Sequence, residues 1–243
     1  MRHQISKKKS VLAIIPAKSI SKSLKNKNLR LINNKHLIYF SIAIAKKSKL
    51  IDRVICSTDS EKIKKIAEKY GAEVPFIRPK KYCGDKITDF DVFKHTLGWL
   101  KKNENYQPDL IVHLRPTSPL RYLEDINKII KLLNKHPKAD SARSISISNR
   151  TPYKMWKINN KGYLSSIISD FNKKDFYNLP RQVLPKTYDH NANIDVIKTK
   201  TILEKKSVSG DFILPFIQKK PIIDIDNYED LIYARKVMKK FKV

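Results

Sequence analysis

Apolar and polar positions alternate along this chain in two rhythms. The continuous apolar run from Val11 to Ala17 has the length of a buried strand; it passes into a polar loop and then into helix-spaced apolar positions from His36 to Lys47. Arg53 to Thr58 predicts the next strand, and Ser60 to Tyr70 predicts a helix with Ile63, Ile66 and Ala67 on one face and Gly71 as its stop. The alternation continues with a short strand at Val74 to Ile77, a helix from Asp89 to Lys102, a strand at Leu110 to Leu114 and a helix from Leu123 to Asn134. Elements in that order predict an α/β fold of three layers, a mostly parallel sheet covered by helices on both faces.

The rhythm breaks after Ala139. Ser141 to Ser148, Tyr153 to Ile158 and Tyr163 to Ser166 predict short strands with no long helix between them, and KINNKGY from Lys157 to Tyr163 carries the Asn and Gly turn signal of a hairpin. Residues 145–189 are therefore expected to form a β-rich arm that covers a site or grips a second subunit. The α/β domain comprises residues 11–144 and 190–243, with strands at Asn193 to Lys198 and Ile222 to Ile225 and a closing helix from Tyr228 to Phe241. Residues 1–10 read as a basic, disordered leader.

Composition narrows the class. With 243 residues, 41% of them apolar, the chain can bury a substantial core. No apolar stretch approaches the roughly 20 residues of a membrane span. The run at Val11 behind the basic leader imitates a signal peptide but leads straight into a Lys-rich loop, so a cytoplasmic protein is expected. Cys56 and Cys83 lack paired or metal-type spacing, and two reduced thiols fit that compartment. The net charge of +28 admits either a nucleic-acid binder or a protein that handles anions. Only ten of the 51 basic residues are Arg; the lysines are spread through the chain beside many Ile and Asn, as an A- and T-rich codon usage produces. Aromatic residues are not interleaved with them as a base-stacking platform requires, which argues against nucleic acid as a partner.

Three motifs carry candidate chemistry. The loop after the first strand holds Lys18, Ser21, Lys22, Lys25, Lys27 and Asn28, and loops at the carboxyl ends of parallel strands are where phosphates bind. The competing reading is an ordinary surface loop of a Lys-rich protein. RPTSPLR, from Arg115 to Arg121, follows a buried-type strand; its two prolines stiffen the turn and allow Thr117 and Ser118 to be aimed at a ligand. The same residues also read as a helix start, with Ser118 as N-cap and Pro119 in the first turn. Asp224 and Asp226 are two apart, a spacing that on a strand points both carboxylates to one side, within reach of one hard cation. Alternatively, Asp226 or Asn227 merely caps the last helix. The six histidines (His3, His36, His95, His113, His136 and His190) show no ligand spacing, and no nucleophile elbow or Ser, His and Asp set is present.

The three motifs in this order resemble those of the acylneuraminate cytidylyltransferase family, the CMP-sialic acid synthetases and their nonulosonic acid relatives. The likeness runs from IIPA at Ile14 through STD at Ser57, YGAEVPFIRP at Tyr70, RPTSPLR, and PRQVLP at Pro180 to DIDNYEDL at Asp224. It implies a nucleotide-diphosphosugar-transferase fold and a homodimer built through the arm. The reaction implied joins CTP to a 2-keto acid sugar, giving a CMP-sugar and pyrophosphate. The family's first motif, similar to A-R-x-G-S-K-G-I-P-x-K-N, keeps Ala17, Ser21, Lys22, Lys27 and Asn28, while Lys18 stands at the usual Arg and loses its bidentate fork. Ser19, Ile20 and Ser23 replace positions that are often Gly, and Lys25 replaces Pro, so the loop must follow its path without glycine's freedom of φ.

By the same resemblance Arg78 and Thr88 contact the nucleotide, and Arg115, at a position that is Gln in sialic acid enzymes, faces the sugar with Pro116, Thr117 and Ser118. Arg181, beside Gln182, matches an arginine that reaches the sugar carboxylate from the partner subunit. Asn191 is kept, whereas Asp189 and Asp195 replace Arg and Tyr, which points to a sugar other than plain sialic acid. The implied catalytic set is Lys22, Lys27, Asp224 and Asp226, the two aspartates holding Mg²⁺ or Mn²⁺. Rival readings are a nucleotidyltransferase for 3-deoxy-manno-octulosonate or a different NTP, and a nucleic-acid-binding protein on an inactive transferase fold.

Overall fold

The computed structural model describes residues 8–169, 171 and 173–241; most of the basic leader, residues 1–7, lies outside them. Strands β1 (Val11–Pro16), β2 (Leu31–Ile32), β3 (Lys35–His36), β4 (Arg53–Ser57), β5 (Leu110–His113), β6 (Ser141–Ile147), β7 (Trp156–Ile158), β8 (Leu164–Ser166), β9 (Tyr188–Lys198) and β10 (Ile213–Ile217) alternate with helices α1 (Leu37–Lys47), α2 (Glu61–Lys69), α3 (Asp89–Glu104), α4 (Leu123–Lys135), α5 (Thr199–Leu203) and α6 (Tyr228–Met238). The main sheet has the order β10-β6-β9-β5-β1-β4. β1 is parallel to β4 and β5, β10 is parallel to β6, and β9 runs antiparallel between β5 and β6.

Alternate residues of the buried strands feed two cores. Ala13, Ile15, Val112 and Val196 pack on one face among residues of α1, α2 and α4; Leu12, Ile14, Ile111 and Ile197 pack on the other against Phe93, Leu97 and Leu100 of α3 and Ile202 of α5. A third cluster joins Leu24, Leu37 and Phe40 to Ile223, Ile225 and Leu231, tying the loop after β1 to the chain before α6. Local signals hold where they act locally. Ser60 caps α2 by accepting from the Ile63 amide, Gly71 ends it at φ +88°, and β7 pairs with β8 around Gly162 at φ +81°.

Four expectations are corrected. Val74 to Ile77 forms no strand; there are only two isolated bridges, Ile55 with Glu73 just before it and Thr58 with Ile77 at its end. Ile222 to Ile225 is extended but joins no ladder; its Ile side chains are held by packing beneath α6 instead. Ser118 is not the cap of α4, which starts five residues later after Tyr122, because Pro119 and the inward-turned Arg121 keep the intervening chain extended. Pro152 opens a short 3-10 turn, so the strand expected from Tyr153 begins only at Trp156. Four elements, the two-residue strands β2 and β3, α5 and β10, have no counterpart in the apolar pattern. β9 also starts at Tyr188 rather than Asn193, since its polar first half is paired with the distal half of β6 across a bulge.

Candidate active site

The loop after β1 keeps its path almost without positive φ: among Lys18 to Lys27 only Asn26 is left-handed. Side-chain anchors replace glycine. Asp59, from the STD segment after β4, accepts from the Ser19 amide at 2.7 Å and the Ser19 hydroxyl at 2.8 Å, and buried Asn28 donates to the Lys18 carbonyl at 2.8 Å. Lys27, 11% exposed, then reaches across the fold to donate to the Ile225 carbonyl at 3.0 Å and to Asp226 Oδ1 at 3.4 Å.

RPTSPLR locks onto the same segment. The Ile225 amide donates to the Thr117 carbonyl at 2.9 Å, and the Ser118 hydroxyl donates to Asp224 Oδ1 at 3.3 Å. Ile223 and Ile225 are buried while Asp224 and Asp226 are exposed, so both carboxylates face outward from one extended segment. Asn227 also caps α6, accepting from the Asp230 amide at 2.9 Å, and the capping and clustering readings hold together. The motif's last arginine was not singled out by its sequence. Arg121 is buried; it donates to the carbonyls of Arg115, Ser118 and Asn193 and to the Ser41 hydroxyl, and among the described residues it has no carboxylate partner. Burial pushes its pKa down, to about 9, and four acceptor oxygens are what hold the cation there.

Between these loops and α3 lies a cleft of about 290 Å³ whose wall includes Lys18, Ser21, Lys27, Arg78, Arg115 and Thr117. Arg78 is buried and lines the cleft, its Nε without a hydrogen-bond partner among the described residues, a cation presented to the cleft. Thr88 lines it too, but its hydroxyl and amide both donate to Asp91 at the start of α3. Asp85 sits opposite the basic loop and pairs with Lys22 at 2.7 Å and Lys18 at 3.5 Å, which raises the Lys22 pKa and lowers its own. At the far end Arg115 donates to Asp89 at 3.0 Å and Asp195 at 3.1 Å. His113, at the end of β5, is in the wall; burial first, and the Arg115 charge second, push its pKa down to about 3, so it is neutral at physiological pH.

Not every expected residue meets the cleft. Lys22, Asp224 and Asp226 stand outside its wall, the aspartates being joined to it through Lys27 and Thr117. Ala17 is buried in the core and its amide is spent on the Ser57 carbonyl. Pro116 lines the cleft, but Ser118 lies behind it. Asn191 sits in the β9 bulge, accepting from Ser144 and donating to Ser146 and Gln218. Arg181 and Gln182 lie on the arm, where Arg181 donates to the Asn149 carbonyl. Asp85, Asp89 and His113 went unpredicted because no motif surrounds them. Only their positions, beside α3's cap or at a strand's carboxyl end, could have marked them.

The cytidylyltransferase family profile matches residues 12–240. The chain belongs to that family. It is 32% identical to the N-acylneuraminate cytidylyltransferase of Escherichia coli over 95% of its own length, and spans about half, 52%, of that longer relative. It is 31% identical to the CMP-N,N'-diacetyllegionaminic acid synthase of Campylobacter jejuni, covering 90% of this chain and 91% of the relative. The fold matches that of a CMP:2-keto-3-deoxy-manno-octonic acid synthetase, at TM-score 0.69 and 14% identity, over 95% of this chain and 99% of the other. The cytidylyltransferase fold is therefore the α/β sheet described, with the small β7–β8 hairpin projecting from it. Among the described residues no helix is long and apolar enough to cross a membrane.

Proposed function

We infer that this cytidylyltransferase joins CTP to a nonulosonic acid, a sialic-acid-like 2-keto sugar acid, giving the CMP-sugar and pyrophosphate. The observation that carries the reading is Lys27, a residue of the cleft wall that donates to the Ile225 carbonyl and Asp226 and so ties the basic loop to the segment bearing the carboxylate pair, from opposite ends of the chain. The names of the relatives support the sugar class, and Arg78, Lys18 and Ser21 are suited to the nucleotide.

Two outward carboxylates, one weakly engaged by Ser118 and the other by Lys27, form an all-oxygen donor pair suited to Mg²⁺ or Mn²⁺. Among the described residues no group of three or more metal-type side chains exists, so phosphate oxygens and water would complete the shell. When bound, such an ion supplies charge neutralisation at the phosphates and acidifies a nearby hydroxyl. The chain's own residues do the rest. Lys22 and Lys27 offset charge growing on the departing pyrophosphate, and the rigid RPTSPLR turn holds Asp224 in place. The sugar's anomeric oxygen forms the new bond to the α-phosphorus, the bond to the β-phosphate oxygen breaks, and the hydroxyl proton passes to water.

The arm's exposed Ile158, Tyr163 and Leu164 favour a homodimer in which Arg181 and Gln182 approach the partner's cleft. We place the enzyme in the cytoplasm, where CTP is made. Pyrophosphate release with CTP and, in turn, N-acetylneuraminic, N,N'-diacetyllegionaminic and pseudaminic acids tests the reading. Release with none of them, or only with 3-deoxy-manno-octulosonate, refutes it.

A further inference from the structure

A second cavity, of about 790 Å³, is larger than the cleft and lies at the opposite end of the sheet. β5 and β6 both run antiparallel to β9, so the start of β6 is remote from the carboxyl ends of the strands, where the cleft sits. The cavity lies beside that start, between the end of α4, the turn leading into β6, and α5. Exposed Phe212 and half-buried Leu214 give it an apolar side, while Lys135, Lys138, Lys200 and Lys205 bring amines to it.

Three of these four amines are unspent. The carbonyls at the end of a helix ordinarily draw the nearest lysines. Here Lys198, from the end of β9, answers those of His136 and Pro137, at 3.2 and 2.6 Å. Lys205 is held by Asp140 at 2.7 Å and Asp211 at 2.8 Å. Among the described residues the amines of Lys135, Lys138 and Lys200 make neither an ion pair nor a hydrogen bond, and with Asp140 engaged, Glu204 is the one carboxylate of this wall left to balance them. Positive charge accumulates as a result: burial first, then the charges of Lys200 and Lys9, push the Lys198 pKa down. A smaller depression of about 360 Å³ shares Pro137 and Lys200 with the cavity; in its wall Lys9 adds an amine, and buried Thr199 has a hydroxyl without a partner among the described residues.

Several unpaired amines around one cavity of small-molecule size call for a ligand with several negative charges, since a single carboxylate satisfies one of them. The exposed ring of Phe212 beside them favours a flat body that stacks. A fatty acid has one charge and needs an enclosed apolar tunnel, which Phe212 and Leu214 do not make. A nucleoside triphosphate has both halves, a base for Phe212 and a row of phosphates for the lysines. The wall holds no amide or guanidinium side chain for bidentate reading of a base edge, so the base is not selected. We propose that this cavity is a second nucleotide site, for a nucleoside triphosphate of any base, separate from the cleft. It stands independently of the cytidylyl-transfer reading.

The test is photolabelling of the full chain with 8-azidoadenosine triphosphate, with the labelled peptides mapped by mass spectrometry and the affinity for ATP measured by calorimetry. Label should fall on the segments around Lys138 and Phe212, and an excess of ATP or CTP should protect them equally. The triple variant Lys135→Gln, Lys138→Gln, Lys200→Gln should weaken ATP binding at this site by on the order of 10-fold or more, and Phe212→Ala by roughly 5-fold or more. All four side chains are exposed, so the fold should persist, which an unchanged Tm checks. Labelling confined to the cleft, or undiminished cavity labelling in the triple variant, overturns the proposal. So does protection by inorganic tripolyphosphate as effective as that by ATP, because the site would then be a patch of charge with no place for a base.

Discussion

Replacing Arg121 by Met removes a buried cation from the centre of the RPTSPLR turn without altering any residue of the cleft wall. Four acceptors lose their donor. The Ser41 hydroxyl can reorient, and the Arg115 carbonyl keeps bonds from Ser41 and from the Ser118 amide, which leaves the carbonyls of Ser118 and Asn193 as the uncompensated pair. An orphaned buried acceptor costs about 1–3 kcal/mol, so two cost roughly 2–6 kcal/mol. The desolvation cost of the guanidinium vanishes with it, and no carboxylate is stranded, which keeps the loss below that of a broken buried ion pair. We expect a net destabilisation of about 2–4 kcal/mol. For a domain of this size that lowers Tm by roughly 5–15 °C. Urea unfolding followed by circular dichroism should show a lower midpoint at unchanged slope. Turnover at 20 °C should fall as well, because the turn that bonds Ile225 and Asp224 loosens. A variant as stable as the parent, within 2 °C in Tm, would refute the view that this arginine organises the turn.

Other consequences can be checked separately. Asp226→Asn should reduce turnover by on the order of 10²–10³ while CTP binding by calorimetry partly survives, and undiminished turnover counts against the carboxylate pair. Asp85→Asn frees Lys18 and Lys22 from an exposed ion pair, so KM for CTP should drop by up to about 5-fold at low salt and the difference should fade at high salt; an increase would mean that Asp85 helps hold the nucleotide. Burial works against ionisation of Asp140, but bonds from Lys205 and from the Phe212 and Asp211 amides win and bring its pKa down to about 2. Its folded pKa is thus depressed, so its contribution, roughly 2 kcal/mol, is complete above about pH 4 and lost as pH falls towards 2. Asp140→Asn should therefore lower Tm at pH 7 and make no difference near pH 2, and a deficit that is independent of pH would contradict the linkage.

Much of the fold follows from periodicity alone. Val11 to Pro16, Arg53 to Ser57 and Leu110 to His113 are buried on both faces and so read as unbroken apolar runs, while α1 to α4 show their stripe and most of their stop signals within a few residues. The basic loop, RPTSPLR and the aspartate pair were visible for the same reason: each is a short segment whose residue types imply a local geometry. What local pattern could not supply is any contact between distant segments. Ile222 to Ile225 has the alternation of a strand, and whether it finds a ladder depends on neighbours far away in the chain; here α6 covers it and the Thr117 carbonyl takes a single amide. The first half of β9 is polar because its side chains serve a buried network around Asn191 and an open shelf around His190, so no hydrophobic signal marks it. Asp85 facing Lys22, Lys27 reaching Asp226 across 199 positions, and Asp195 shared by Arg115 and Arg143 are pairings of charge across space. Charge leaves no period in the chain. Those pairings exist only once the sheet order has brought β1, β5, β9 and β6 side by side, because the attraction between two ions depends on their separation in the folded molecule and not on their separation in sequence.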